Sequence, residues 1–215
     1  MTTLMQPTTY KDIIFPNAET ARLVDDLVTS RLPFPAHGKN GLMIYGPTGT
    51  GKSTLAGLLP DAIEMARIGQ TAYVPTRHAV TAGNNGAGLI SSLARTAENT
   101  ALTFGHQFFI LDEVDNLSEA ALKSLKSVMD MPRTIFIMTT NNLSALERPV
   151  LSRCHLIDMT MPPPSAWLSR CRQALGANGI NKQPTDADLL PLIASCNGDA
   201  REIMTEMHRL ALALA

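Results

Sequence analysis

The stretch Gly46-Pro47-Thr48-Gly49-Thr50-Gly51-Lys52-Ser53 constrains this chain more than any other. It lies between an apolar run, Leu42-Met43-Ile44-Tyr45, and a helix-like stretch from Ser53 to Leu59. Strand, glycine-rich loop and helix form the context in which the spacing G-x-x-x-x-G-K-[ST] signifies a phosphate-binding loop. The glycines let backbone N–H groups turn inward around a polyphosphate. The N-terminus of the following helix adds unsatisfied donors and the positive end of its dipole. Lys52 is placed to meet the β- and γ-phosphates and the Ser53 hydroxyl to ligate Mg²⁺, while Thr48 and Thr50 are permissive positions. Gly46 to Thr54 is therefore the expected nucleotide-binding segment, with ATP and Mg²⁺ as its ligands.

Around this loop the chain alternates apolar strands with amphipathic helices. Residues 1–40 read as an N-terminal arm and one helix, capped by Asn17, with Ala21, Leu23, Val24, Leu27 and Val28 on its apolar face. Pro33 and Pro35 end it. Strands are expected at Leu42–Tyr45, Thr71–Val74, Phe108–Leu111 and Thr134–Thr139. Helices are expected at Lys52–Leu59, Leu89–Glu98 and from a Ser118 cap to about Asp130. Residues 76–88, with Gly83-Asn84-Asn85-Gly86, read as loop. Such alternation predicts an α/β fold, a parallel sheet sandwiched by helices. Pro162-Pro163-Pro164 reads as a hinge, and the chain beyond it as helices over about 165–177, 186–195 and 199–213. The expected division is a nucleotide-binding core over residues 1–160 and a small helical lid over residues 161–215.

Composition narrows the partners. A net charge of −1 gives no global basic field, so contact with nucleic acid needs a local patch or several copies arranged in a ring. Cys154, Cys171 and Cys196 are odd in number and far apart, which fits neither a disulfide framework nor a zinc site and suggests a reducing compartment. Met1 to Asp12 lacks an apolar signal core, and no apolar run approaches the roughly 18 residues of a membrane span. The expectation is a soluble cytoplasmic protein with no membrane partner.

The chemistry is completed by residues far from the loop. Phe108-Phe109-Ile110-Leu111-Asp112-Glu113 is an apolar strand ending in two carboxylates. Asp112 is placed to hold the Mg²⁺ shell through water, and Glu113 to orient and deprotonate the water that attacks the γ-phosphorus. Asn141, past the next strand, is placed to hydrogen-bond the γ-phosphate or that water. Glu147-Arg148-Pro149-Val150-Leu151-Ser152-Arg153-Cys154 follows. Together Gly46–Ser53, Asp112-Glu113, Asn141 and Ser152-Arg153-Cys154 resemble an AAA+ ATPase of the clamp-loader clade. The last triplet is similar to that of clamp-loader small subunits of the phage and archaeal-eukaryotic type.

The resemblance implies further roles. Arg153 would reach across a subunit boundary as an arginine finger in the neighbour's ATP site, with Arg148 as a second candidate. Gly198-Asp199-Ala200-Arg201 is similar to the family's second sensor, which makes Arg201 a γ-phosphate contact from the lid. Ile14 and Phe15 sit where family members line the adenine pocket. The chain departs from the pattern in reading Asp-Glu-Val-Asp for the commoner Asp-Glu-Ala-Asp. It also ends where a collar domain would begin in clamp-loader subunits.

The function implied is an ATP-driven, oligomeric DNA-replication assembly factor, clamp-loader-like or helicase-loader-like, with a phage source as the expectation. Its partners would be other AAA+ subunits, DNA, and a replication protein such as a sliding clamp or helicase. Arg77 and Arg95 are candidate contacts to DNA phosphates. A second class, a binding module that uses ATP as a structural ligand with negligible turnover, is opposed by the carboxylate of Glu113. A small nucleotide kinase fits the Asp-Glu pair, Asn141 and the Ser-Arg-Cys triplet poorly.

Overall fold

The computed structural model describes residues 6–99, 105–180 and 183–214, so part of the N-terminal arm, residues 1–5, lies outside the described residues. Its centre is a five-stranded, wholly parallel sheet. The strands are β1 (Gly41–Tyr45), β2 (Thr76–Ala79), β3 (Gln107–Asp112), β4 (Thr134–Thr140) and β5 (Cys154–Asp158), in the spatial order β2-β3-β4-β1-β5. Side-chain alternation divides the core between the two faces. Phe109 and Leu111 of β3, Phe136 and Met138 of β4, and Met43 of β1 point to one face. There they meet α3 (Ala87–Asn99), α4 (Glu119–Met129) and the short α5 (Arg148–Leu151). Phe108, Ile110, Ile135, Ile137, Leu42 and Ile44 point to the other face, against α1 (Ala18–Val28) and α2 (Lys52–Ile68). Phe109 and Phe136 are register partners on neighbouring strands, and their rings stack with centroids 5.1 Å apart.

The helices start where side chains satisfy orphan N–H groups. Asn17 accepts from the Thr20 N–H at the start of α1, and Ser118 from the Ala121 N–H at the start of α4. Beyond the three prolines come α6 (Leu168–Ala177), α7 (Asp186–Ser195) and α8 (Ala200–Leu214). They bury a separate core that includes Trp167, Leu175, Leu189, Ile193, Ile203 and Met207, with Ile14 of the N-terminal segment packed against it.

Three elements differ from expectation. Thr71–Val74 forms no strand, and Tyr73 and Val74 stand 61% and 76% exposed. The strand lies instead at Thr76–Ala79, in the segment read as loop. This is an edge strand bonded only to β3, and its alternating exposure leaves it without an apolar run to signal it. β5 was not anticipated for the same reason: it is the opposite edge and buries chiefly Cys154 and Ile157. Finally, α2 continues through Pro60 to Ile68. An interior proline costs about 3 kcal/mol, but burial of Leu55, Leu59 and Ile63 on either side holds the helix together.

Candidate functional site

The phosphate loop joins the C-terminal end of β1 to α2, and a cleft of about 180 Å³ opens above it. Lys52, Ser53 and Thr54 line this cleft from below, with Thr48, Gly49 and Gly51 beside them. Glu113 enters from the end of β3, Asn141 from the end of β4 and Arg201 from α8. β4 lies between β1 and β3, so strand order alone brings these segments together.

The loop's shape depends on its glycines. Gly46 (φ +150°) and Gly49 (φ +82°) adopt left-handed backbone. A Cβ at Gly46 would strike the Met159 carbonyl, and one at Gly49 the Asp199 carboxylate. Thr50 is buried, and its hydroxyl donates to the Pro47 carbonyl (3.0 Å), so this position locks the loop rather than being freely variable. Lys52 is only 7% exposed, and its ammonium donates to the carbonyls of Gly46 (2.8 Å) and Pro47 (2.5 Å). Desolvation lowers its pKa, against the attraction of Asp115 and Glu113, and Arg201 adds to the lowering. A buried ammonium in this position gains from an incoming anion.

Glu113 has left-handed backbone, φ +62° and ψ 52°. Its N–H donates to the Thr139 hydroxyl (3.1 Å), and that hydroxyl donates to Asp112 Oδ1 (3.1 Å). One buried threonine thus positions both carboxylate-bearing residues. The sequence reading missed it; the available signal was a Thr-Thr pair ending an otherwise apolar strand. Arg77, a candidate contact to DNA phosphates, reaches Asp112 Oδ2 through Nε (2.8 Å) and Nη2 (2.7 Å) and the Ser53 carbonyl through Nη2 (3.1 Å). Arg95 is exposed on α3.

Among the described residues no cluster of three or more His, Cys, Asp or Glu side chains is arranged to hold a metal alone. A cation here would rest on the Ser53 hydroxyl, Asp112 and phosphate oxygens. That all-oxygen, partly hydrated donor set suits Mg²⁺.

A second, more apolar cavity of about 100 Å³ shares Gly51, Thr54 and Ala200 with the first. Ile14 lines it, joined by Ile13, Trp167 and Met204. Phe15 does not line it: it packs against the core under α1 and α2 and borders a neighbouring groove that Ile13 and Ile14 also reach. The lid meets the loop directly, since the Ala200 N–H donates to the Gly49 carbonyl (3.0 Å). Asp199, also missed, caps α8 by accepting from the Arg201 (2.7 Å) and Glu202 (3.3 Å) N–H groups.

Arg153 lies elsewhere. It precedes β5, and Gly41 pairs with Cys154 where β1 begins, whereas the loop leaves β1 after Tyr45. Five residues at about 3.3 Å each separate the two poles by about 16 Å. Its guanidinium forms a bidentate pair with Asp130 (2.9 and 2.9 Å) and donates to the Pro149 carbonyl (3.0 Å). Bonding to Arg153 holds the Asp130 carboxyl below its ordinary range. Arg148 is exposed on α5. The three cysteines are free and buried.

Residues 42–160 match the model of the ATPase family associated with various cellular activities (AAA). The chain is 30% identical over 167 residues to replication factor C small subunit 1 of Pyrobaculum arsenaticum, covering 75% of this chain and 48% of that protein. It is 29% identical over 207 residues to the probable replication factor C subunit 2 of Dictyostelium discoideum, covering 94% and 58%. It therefore spans about half of the length of the curated relatives it matches. Among solved structures, the Thermotoga maritima RuvB Holliday junction branch migration motor superposes with a TM-score of 0.68 at 14% identity, over 95% of this chain and 64% of that one. The resemblance to the clamp-loader clade is borne out at the level of family and fold, and the chain belongs to the ATPase family associated with various cellular activities.

Proposed function

We propose that this chain is an ATP-binding and ATP-hydrolysing subunit of an oligomeric DNA-replication assembly factor, clamp-loader-like, with nucleotide held at the boundary between subunits. The observation that carries the reading is the division of charge across the sheet. Lys52, Glu113, Asn141 and Arg201 face one cleft, while Arg153 stands at the opposite pole of the same sheet. A cation so placed cannot serve its own chain's nucleotide; a neighbour's phosphates would draw the guanidinium from its pair with Asp130.

In this reading the inward N–H groups from Gly46 to Thr54 and the α2 N-terminus hold the polyphosphate, and Lys52 leaves the loop carbonyls for the β- and γ-phosphates. Ser53 and, through water, Asp112 would hold Mg²⁺, which would supply charge neutralisation to the phosphates. Glu113 takes the proton of the attacking water and Asn141 orients it. Arg201 senses the γ-phosphate from the lid, Arg153 of a neighbour neutralises developing charge, and Ile14 borders the adenine. The core and lid divide near residue 160. The proposed partners are other AAA+ subunits, DNA, and a sliding clamp or a helicase, in a reducing cytoplasm. The replication factor C relatives favour the clamp over the helicase.

The test is a mixing experiment. Lys52→Ala and Arg153→Ala proteins are each expected to be inactive alone. Mixed with primed DNA present, they recover phosphate release, because an Arg153-bearing chain completes the site of a Lys52-bearing one. No recovery, with both variants folded and co-assembled, overturns the shared site. A steady-state rate that stays negligible for the unmodified protein favours the scaffold reading instead.

A further inference from the structure

The proposed chemistry gives no task to Arg77, although this side chain touches both residues expected to hold the metal. It comes from the edge strand β2 and passes over Gly57 of α2, where a Cβ would lie 3.2 Å from its Nη1. The bare glycine makes room for the guanidinium. From there Nε and Nη2 grip Asp112 Oδ2 at 2.8 and 2.7 Å, and Nη2 also reaches the Ser53 carbonyl at 3.1 Å. The other carboxylate oxygen, Oδ1, already accepts from the Thr139 hydroxyl. Both oxygens of Asp112 therefore accept a hydrogen bond, and the donor at Oδ2 is a positively charged guanidinium. Arg77 does not line the cleft and approaches Asp112 from the β2 side. The Asp112 side chain is 13% exposed and that of Arg77 45%, so solvent screens the pair from the arginine's side only.

We propose that Arg77 is a positioning residue and counter-ion that sets how the site takes its divalent cation. By neutralising Asp112 it confines that carboxylate to holding the cation through water, so that capture depends on the phosphates of the nucleotide. The inference rests on the reading of the cleft as an ATP site. By Coulomb's law, a unit positive charge held within about 6 Å of a dication weakens that dication's binding about tenfold in water-like surroundings.

The experiment measures Mn²⁺, standing in for Mg²⁺, by its electron paramagnetic resonance signal in titrations of the ADP complex. The proteins are the unmodified chain, Arg77→Gln and Arg77→Lys, and ADP affinity in a chelator is measured for each. Arg77→Gln is expected to bind Mn²⁺ about tenfold more tightly, and Arg77→Lys, which keeps the charge, to stay within about twofold of the unmodified protein. A merely structural clamp cannot yield tighter metal binding when removed. Unchanged or weaker Mn²⁺ binding in Arg77→Gln, or its loss of ADP, overturns the counter-ion role. If the unmodified chain itself fails to bind ADP, the nucleotide reading fails, and this inference with it.

Discussion

Glu113 offers a perturbation in which stability and activity should move in opposite directions. Its backbone is left-handed, at φ +62° and ψ 52°. For a residue with a Cβ this conformation costs roughly 1–2 kcal/mol. Glycine adopts it freely but gives up about 0.5–1 kcal/mol more chain entropy on folding. The Glu113 side chain is exposed, and among the described residues its Oε2 accepts only from the Asn116 amide, at 3.4 Å, so little packing is lost with it. The N–H bond to Thr139 is kept in both the Gln and the Gly variant. Glu113→Gln keeps the Cβ and the strain, and so isolates the carboxylate; Glu113→Gly removes both. The Gly variant should therefore be more stable than the Gln variant by about 0.5–1 kcal/mol, a rise in melting temperature of about 1–4 °C for a chain of this length. Both should lose hydrolysis by about 10²–10⁴-fold, the contribution of a positioned general base. Scanning calorimetry gives the first quantity and phosphate release the second. A Gly variant that melts at or below the Gln variant refutes the strain argument. Turnover near the unmodified rate in Glu113→Gln refutes the role of the carboxylate.

Two further outcomes follow from close contacts. Gly49→Ala drives a methyl group into the Asp199 carboxylate at a left-handed position and so disturbs the contact between loop and lid. Nucleotide affinity, read from the emission of the chain's single tryptophan, Trp167, should fall at least about tenfold, a loss of about 1.4 kcal/mol; unchanged affinity would show that the lid tolerates the shift. Burial pushes the Cys154 thiol from its ordinary 9.0 up to about 12. Below pH 9 both folded and unfolded chains keep that proton; between pH 9 and 12 only the folded chain does, so stability falls as pH rises through this window. The slope should reach up to about 1.4 kcal/mol per pH unit. Denaturant midpoints measured from pH 8 to 11 should fall less steeply in Cys154→Ala, and equal slopes would contradict the assignment.

What was legible in the sequence is what short spacing encodes. The caps at Asn17 and Ser118, the loop from Gly46 to Ser53 and the carboxylates ending β3 each sit within a few residues of their partners. Buried strands announced themselves as apolar runs, whereas the edges β2 and β5 did not, because half of each faces solvent. Contacts made across the sheet were likewise silent. Arg77 finds Asp112 35 residues away, the Gly49 carbonyl accepts from the Ala200 N–H of the lid, and Arg153 finds Asp130 23 residues back. No local pattern marks such partners; they follow from strand order, which the chain specifies only through the whole packed core.

The position of Arg153 lies between these cases. In a parallel sheet every strand runs the same way, so a loop after one strand and a residue before another must stand at opposite poles. Residues 154–158 form β5 beside β1, and that fact alone, without any resemblance, sends Arg153 away from its own phosphate loop. Recognising Cys154–Asp158 as an edge strand would have made the separation of Arg153 from its own phosphate loop a deduction from topology. A finger in this chain that acted on its own nucleotide would require Arg153 to cross the length of β1, about 16 Å, which a side chain held by Asp130 and Pro149 cannot do without unmaking the turn that begins β5.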